Sequence, residues 1–248
     1  MDKDKSKILV LVEGEKTDLR LMEKQLHIYG IDRRHRVVSY NTNIYALYNT
    51  MFRDTDPADL DILQHLKEHE SDQSKKELFD ERYSDILLVF DLDPHDPQYS
   101  SEKILTMASF FVESSDMGKL YLNYPMVEAF YHMKSIPDPE YNDYTVTLDE
   151  LNTGTYKARV NSENRNHDYT KFAVDKTEND VVILQNLEKA RILTESSGFV
   201  PVTMDVLKAQ LHMLEKQEAL HILCTCTFYI PEYNPKFISN DSLRNHFG

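Results

Sequence analysis

Two apolar runs that end in acidic residues constrain the fold of this chain more than any other feature. The first is Ile8-Leu9-Val10-Leu11-Val12, followed by Glu13, and the second is Ile86-Leu87-Leu88-Val89-Phe90, followed by Asp91 and Asp93. Such continuous runs are typical of strands buried on both faces of a parallel sheet that helices cover. Because ligands bind at the carboxyl ends of such strands, we expect the three acids to gather at one edge of the sheet. Their mutual repulsion favours a bound divalent cation.

Hydrophobic periodicity along the first half predicts an α/β fold with a mostly parallel sheet flanked by helices. The predicted strands are 8–12, 36–40, 86–90 and 119–122, and the predicted helices are 16–29, 43–52, 58–68, 101–112 and 125–133. Asp56-Pro57 is a capping and first-turn signal for the helix at 58–68. The charged segment 71–81 is predicted to be a solvated loop or helix end.

The sequence changes character beyond Ile136, where Pro137, Asp138, Pro139 and Glu140 form a cluster of helix and strand breakers. The following sequence is polar and favours helices, as at 181–193 and 203–220. We therefore predict two domains, 1–135 and 136–248, of which the second is a mainly helical extension. The apolar, aromatic segment 221–238 is expected to pack back on the core, since its exposure would leave a large apolar patch.

Composition sets mild limits on function. The chain has 42 acidic and 28 basic residues and a formal net charge of -14, so its surface repels nucleic acid. This argues against simple DNA coating but not against a nuclease whose acidic centre is neutralised by metal. No signal peptide, long apolar run or lipidation motif is visible, which predicts a soluble cytoplasmic protein without membrane contact.

The two cysteines, Cys224 and Cys226, lie two residues apart in a β-like stretch. Side chains at that spacing share one face of a strand, so we predict buried free thiols and no disulfide between them.

The Asp-x-Asp motif at Asp91 and Asp93 has two interpretations. It is either a solvated strand end or, where the chain turns, a pair of carboxylates that converge on a metal. Oxygen ligands suit Mg²⁺ or Mn²⁺, and the chain has no Cys/His cluster with zinc spacing. The upstream turn favours the second interpretation, because Gly14 permits a tight turn after Glu13 and Thr17 or Asp18 caps the following helix.

Together these motifs resemble the signatures of the Toprim domain, which topoisomerases, bacterial primases and the OLD and RloB-like nucleases share. Glu13-Gly14-Glu15-Lys16-Thr17-Asp18 is similar to the RloB-like Glu-Gly-x-x-Thr-Glu, with Asp in place of the final Glu. Pro125-Met126-Val127-Glu128 resembles the Pro-x-x-Glu of that group, although Tyr124 separates Asn123 from Pro125, which are adjacent in the family. The resemblance covers roughly residues 5–135.

The resemblance implies a Toprim, Rossmann-like fold and a nuclease that uses Mg²⁺ or Mn²⁺. It assigns Glu13 as a metal ligand or general acid/base, Asp91 and Asp93 as metal ligands, Glu128 and Asp18 as a second metal position, and Lys171 as the basic residue near the scissile phosphate. In such a site two ions stabilise the attacking and the leaving oxygen at phosphorus. Three of these residues also have ordinary interpretations: Glu128 as an exposed helix glutamate, Asp18 as a helix-start acid and Lys171 as a surface lysine. His95 and His167 are expected to be polar loop residues.

The chain has no Walker A loop, so it is not expected to hydrolyse ATP. Many OLD-type nucleases carry or recruit an ATPase. We therefore predict the effector nuclease of a bacterial anti-phage defence system, which cleaves DNA or RNA beside an ATPase partner subunit. Homo-oligomerisation is left open.

Two other functions remain in view. One is a non-catalytic Toprim-like interaction subunit, which the strong net acidity favours. The other is a phosphatase of the haloacid-dehalogenase type, with Asp91 as nucleophile and Asp93 as general acid/base. That family has Gly-Thr or Gly-Val after the aspartate pair, where this chain has Pro94-His95.

Overall fold

The computed structural model describes residues 7–52, 60–115 and 117–238. These residues form two compact units. The first contains the described residues up to Phe90 together with Gln98–Tyr121, and the second contains Asp91–Pro97 and the described residues from Leu122 onward. The fold is α/β with a mixed, mostly parallel sheet, as predicted. The predicted boundary at 135/136 stays a prediction.

Within the described residues, the main sheet has five strands in the order β2-β1-β3-β4-β7. They are β1 (Lys7–Val12), β2 (His35–Ser39), β3 (Tyr83–Asp91), β4 (Lys119–Tyr124) and β7 (Leu223–Cys224). Strand β1 pairs in parallel with both β2 and β3, and its last residue, Val12, lies opposite Val89 of β3. The apolar run Ile8 to Val12 is buried, as expected of a strand covered on both faces. Parallel pairing brings the carboxyl ends of β1 and β3 to the same edge.

The helices of the first unit include five α-helices. They are α1 (Thr17–Ile28), α2 (Ile44–Phe52), α3 (Ile62–His69), α4 (Gln73–Phe79) and α5 (Ser101–Phe110). Helix α1 buries Leu21, Met22 and Leu26 at helical spacing, and Gly30 follows it with a φ of 67°. A positive φ is easily adopted by glycine, which accounts for the stop at that point.

Two predictions in the first unit need correction. The helix predicted at 58–68 is Ile62–His69, and its cap is Asp61, whose side chain accepts hydrogen bonds from the backbone of Leu63 and Gln64. The predicted capping signal, Asp56-Pro57, lies outside the described residues. Much of the segment 71–81, predicted to be a loop or helix end, is the helix α4, because Asp72 caps it and Phe79 is buried.

The second unit is rich in helices but also contains short strands. Its remaining elements include β5 (Thr145–Thr147), α6 (Leu148–Asn152), α7 (Thr155–Glu163), α8 (Lys176–Thr194), α9 (Thr203–Gln217), β6 (Ala219–His221) and α10 (Tyr229–Tyr233). Strands β5 and β6 pair antiparallel, so Leu220, predicted to end a helix, belongs to a strand. Helix α9 ends earlier because Glu218 adopts a left-handed conformation.

The helix predicted at 125–133 is a short 3₁₀ helix, Val127–Tyr131. Met126 remains extended, with φ −157° and ψ 174°. The backbone of Ala129 then bonds to Met126 three residues earlier. A bond between residues three apart closes a 3₁₀ turn and not an α-helical one.

The closing segment packs into the core of the second unit, as predicted. Strand β7 pairs antiparallel with Asn123 and Tyr124 at the end of β4. The side chains of Phe228 and Ile230 are fully buried. Both cysteines are buried free thiols, as predicted, although Cys226 lies in a 3₁₀ helix after the strand.

Among the described residues, the helices lack the combination of length and apolar character that crossing a bilayer requires.

Candidate metal centre

The backbone places Glu13 beside the end of strand β3. The amide of Glu13 donates a hydrogen bond to the carbonyl oxygen of Val89 at 3.2 Å, which continues the parallel ladder beyond Val12. Asp91 is the last residue of the same strand. The strand pairing thus accounts for the positions of Glu13 and Asp91, the acids that follow the two apolar runs.

Glu13, Asp91 and Asp93 form an acidic group with the dimensions of a metal site. One carboxylate oxygen of each lies within 4.8 Å of one oxygen of each of the others. Three carboxylates at this spacing repel one another in the absence of a cation. Oxygen ligands of this kind suit Mg²⁺ and Mn²⁺. We refer to these three residues as the acidic triad.

Asp91 is a buried residue that a neighbouring strand orients. The amide nitrogen Nδ2 of Asn123, on β4, donates a hydrogen bond to Asp91 Oδ1 at 3.2 Å. The Cys224 thiol in turn donates to Asn123 Oδ1 at 3.1 Å. Partners behind a ligand carboxylate fix its rotamer, which is the usual construction of a metal site.

Asp93 has an unusual backbone conformation and a raised pKa. Its φ of 37° is left-handed, a conformation that Asp adopts more readily than most residues. Its Oδ1 is buried without a hydrogen-bond partner among the described residues. Burial raises the pKa of Asp93 to about 7, although the nearby Lys157 ammonium opposes the rise. The negative charges of Glu128 and Asp96 add to it.

Glu128 lies in the 3₁₀ helix after β4 and is buried, so its interpretation as an exposed helix glutamate is wrong. Its Oε1 lies 3.1 Å from the Nζ of Lys157, and its Oε2 is buried without a hydrogen-bond partner among the described residues. It is not part of the acidic triad, but its charge acts on Asp93.

Lys157 of α7 is a basic residue beside these acids that no sequence motif indicated. Burial acts to lower the pKa of Lys157, yet the Glu128 carboxylate and the charges of Asp93 and Asp91 raise it overall. Lys171, the lysine suggested by the family resemblance, is instead highly exposed and pairs with Asp168 in its own turn at 3.3 Å. Only the three-dimensional fold brings Lys157 to residues so far away in the sequence.

Asp18 lies in the first turn of α1 and is buried. Its Oδ2 lies only 2.6 Å from the position that a Cβ atom would take on Gly14. The turn after β1 therefore needs glycine at position 14 for the Asp18 carboxylate to keep its place.

The two histidines that the sequence placed in loops differ in position. His95 is exposed, with Nδ1 3.9 Å from Asp93 Oδ1, and the partial burial of its ring lowers its pKa. A lowered pKa favours the neutral form of the ring. His167 is exposed, and its ring contacts the backbone of Asn161.

No protein-family model, curated protein or solved structure was found that matches this chain.

Proposed function

We propose that this protein is a divalent-metal-dependent nuclease of the Toprim type that hydrolyses phosphodiester bonds. The observation that carries the proposal is the acidic triad, whose three carboxylates come together at the ends of neighbouring parallel strands. The triad consists of three of the five residues that the Toprim resemblance assigned to metal binding.

The residues of the site fit a role in phosphoryl chemistry. A bound Mg²⁺ or Mn²⁺ would supply Lewis-acid stabilisation of the charge that develops at phosphorus. The triad carboxylates would hold the cation, and Asn123 keeps the Asp91 carboxylate in one orientation. Asp93, whose pKa is raised to about 7, would lose its proton on binding the cation.

The net charge of -14 opposes binding of free nucleic acid. We therefore propose that an ATPase partner supplies much of the affinity for DNA or RNA, with this chain as the effector of a bacterial anti-phage defence system. Co-purification with an ATPase encoded nearby, and a change in cleavage rate when it is added, support this part. An ATPase that neither binds nor changes the rate contradicts it.

The nuclease proposal is tested by incubating the purified protein with duplex DNA, single-stranded DNA and transfer RNA in Mn²⁺. We expect cleavage of at least one substrate, its loss in EDTA, and a loss of at least about a hundredfold in Glu13→Gln and Asp91→Asn. The matched control is Glu15→Gln, because Glu15 is an exposed acid two residues from Glu13 that bonds to Asn41. Cleavage that survives in Glu13→Gln and Asp91→Asn contradicts the proposal.

A further inference from the structure

Glu128 and Lys157 form an ion pair whose two members are very differently exposed. The Glu128 side chain is only 9% exposed, whereas the Lys157 side chain is 61% exposed. The lysine thus reaches from the surface of α7 to a buried carboxylate. It can leave that carboxylate for solvent when another cation takes its place, since exposed ammonium groups are well hydrated.

Two buried oxygens beside this pair have no hydrogen-bond partner among the described residues. They are Oε2 of Glu128 and Oδ1 of Asp93. A buried, unpartnered carboxylate oxygen is costly, so such an atom indicates a ligand that completes the site. A cation is the ligand that satisfies carboxylate oxygens.

Lys157 supplies a positive charge to these same acids. Its ammonium is in contact with Glu128, and it acts electrostatically on both Asp93 and Asp91. It contacts only one oxygen of Glu128, so the ion pair leaves part of the carboxylate unsatisfied. Lys157 therefore supplies only part of the positive charge and contacts that a metal ion bound at Glu128 would supply.

We propose that the Lys157 ammonium occupies the place of a divalent ion at Glu128 and is displaced when that ion binds. The inference rests on the proposed function, because it concerns the metal of the same site. Lys157 is then a competitor for the metal at Glu128. Once displaced, it is free to contact an anionic group of the substrate, such as a phosphate.

The test is calorimetric titration of Mn²⁺ into the full-length parent, Lys157→Met, Glu128→Gln and the double variant. Displacement predicts that Lys157→Met binds Mn²⁺ about three- to fivefold more tightly, the scale of an ion pair with one exposed partner. Glu128→Gln should bind about tenfold more weakly. The control is Lys171→Met, since Lys171 pairs within its own turn, and it should bind like the parent.

The double variant separates competition from a general effect of charge. Removing any lysine near these acids strengthens cation binding somewhat through the electric field. Competition at Glu128 further predicts that Lys157→Met has little effect when Glu128 is already glutamine. An equal gain in both backgrounds overturns the displacement, as does a parent that binds Mn²⁺ no more weakly than Lys157→Met.

A second measurement reports on the lysine itself. Acetylation of the parent by an N-hydroxysuccinimide ester, with peptides quantified by mass spectrometry, should modify Lys157 faster when Mg²⁺ is present. Lys171 should react at the same rate with and without the ion. An unchanged Lys157 rate overturns the inference while leaving the proposed function intact, whereas a parent that binds no metal overturns both.

Discussion

The amide group of Asn123 donates a hydrogen bond to Oδ1 of Asp91 across neighbouring strands of the sheet, at 3.2 Å. Asn123 is completely buried, and its own oxygen accepts a hydrogen bond from the Cys224 thiol. The orientation of a triad carboxylate therefore depends on a residue that the sequence motifs did not include among the site residues. The dependence is testable.

Asn123→Ala should weaken Mn²⁺ binding by about tenfold, because Asp91 loses the partner that fixes its rotamer. The variant should also lose about 1–3 kcal/mol of unfolding free energy, since it removes a buried hydrogen bond. Calorimetric titration and denaturant unfolding measure the two effects. Unchanged metal affinity in a folded variant would show that Asn123 is only structural.

Asp93→Asn tests the raised pKa of Asp93. The pKa is about 7 in the folded protein against 3.8 for the ordinary carboxyl group, so the folded state binds more protons between these values. The stability that the proton provides is complete below pH 4 and is lost as pH rises through 7. We expect the unfolding free energy of the metal-free variant, relative to the parent, to rise on the order of 2 kcal/mol from pH 5.5 to 8. A difference that does not change with pH contradicts the burial of this charge.

Lys189→Met tests a second buried charge, which no sequence motif indicated. The Nζ of Lys189 donates to the carbonyl oxygens of Tyr141 and Tyr144, at 2.7 Å each. Burial lowers its pKa from 10.5 to about 7, although Asp143 and Asp138 oppose the shift. The folded state thus binds fewer protons than the unfolded state between pH 7 and 10.5, and stability rises with pH across that window.

In denaturant unfolding, the parent should gain on the order of 2 kcal/mol relative to Lys189→Met between pH 7 and 9. The comparison between the two proteins removes the contribution of groups that they share. Parallel pH profiles for parent and variant would mean that the Lys189 charge is not buried as described.

Gly14→Ala tests the turn after β1. The added Cβ would lie 2.6 Å from Asp18 Oδ2, so this carboxylate must move. Because it is the end of a side chain, the loss of stability should stay below about 1 kcal/mol. If Asp18 contributes to the metal site, Mn²⁺ affinity falls. The control is Gly198→Ala, where the atom nearest to the added Cβ is at 3.4 Å. Equal Mn²⁺ affinities in the two variants would show that Asp18 does not contribute to the metal site.

The parts of the fold that the sequence predicted correctly depend on local patterns. The apolar runs before Glu13 and Asp91 specify buried strands, and parallel pairing of such strands is what brings their terminal acids together. Helices with clear periodicity, such as α1, were also predicted within a residue or so of their bounds. In these segments the local signal and the tertiary environment agree.

The errors arise where tertiary contacts override local pattern. Residues 125–133 have helical periodicity, but β4 continues to Tyr124, Met126 stays extended and the helix that follows is a short 3₁₀ helix. Lys157 could not be found from spacing, because α7 brings it to Glu128 from a distant part of the sequence. The family resemblance pointed instead to Lys171, which is exposed and contacts Asp168.

The central claim is that Glu13, Asp91 and Asp93 together hold one divalent cation, and calorimetric titration of Mn²⁺ into the metal-free protein tests it most directly. The account predicts binding by the parent and by Glu15→Gln with equal affinity, and a loss of at least about tenfold in Glu13→Gln and in Asp91→Asn. Folded triad variants that bind Mn²⁺ as tightly as the parent would contradict it.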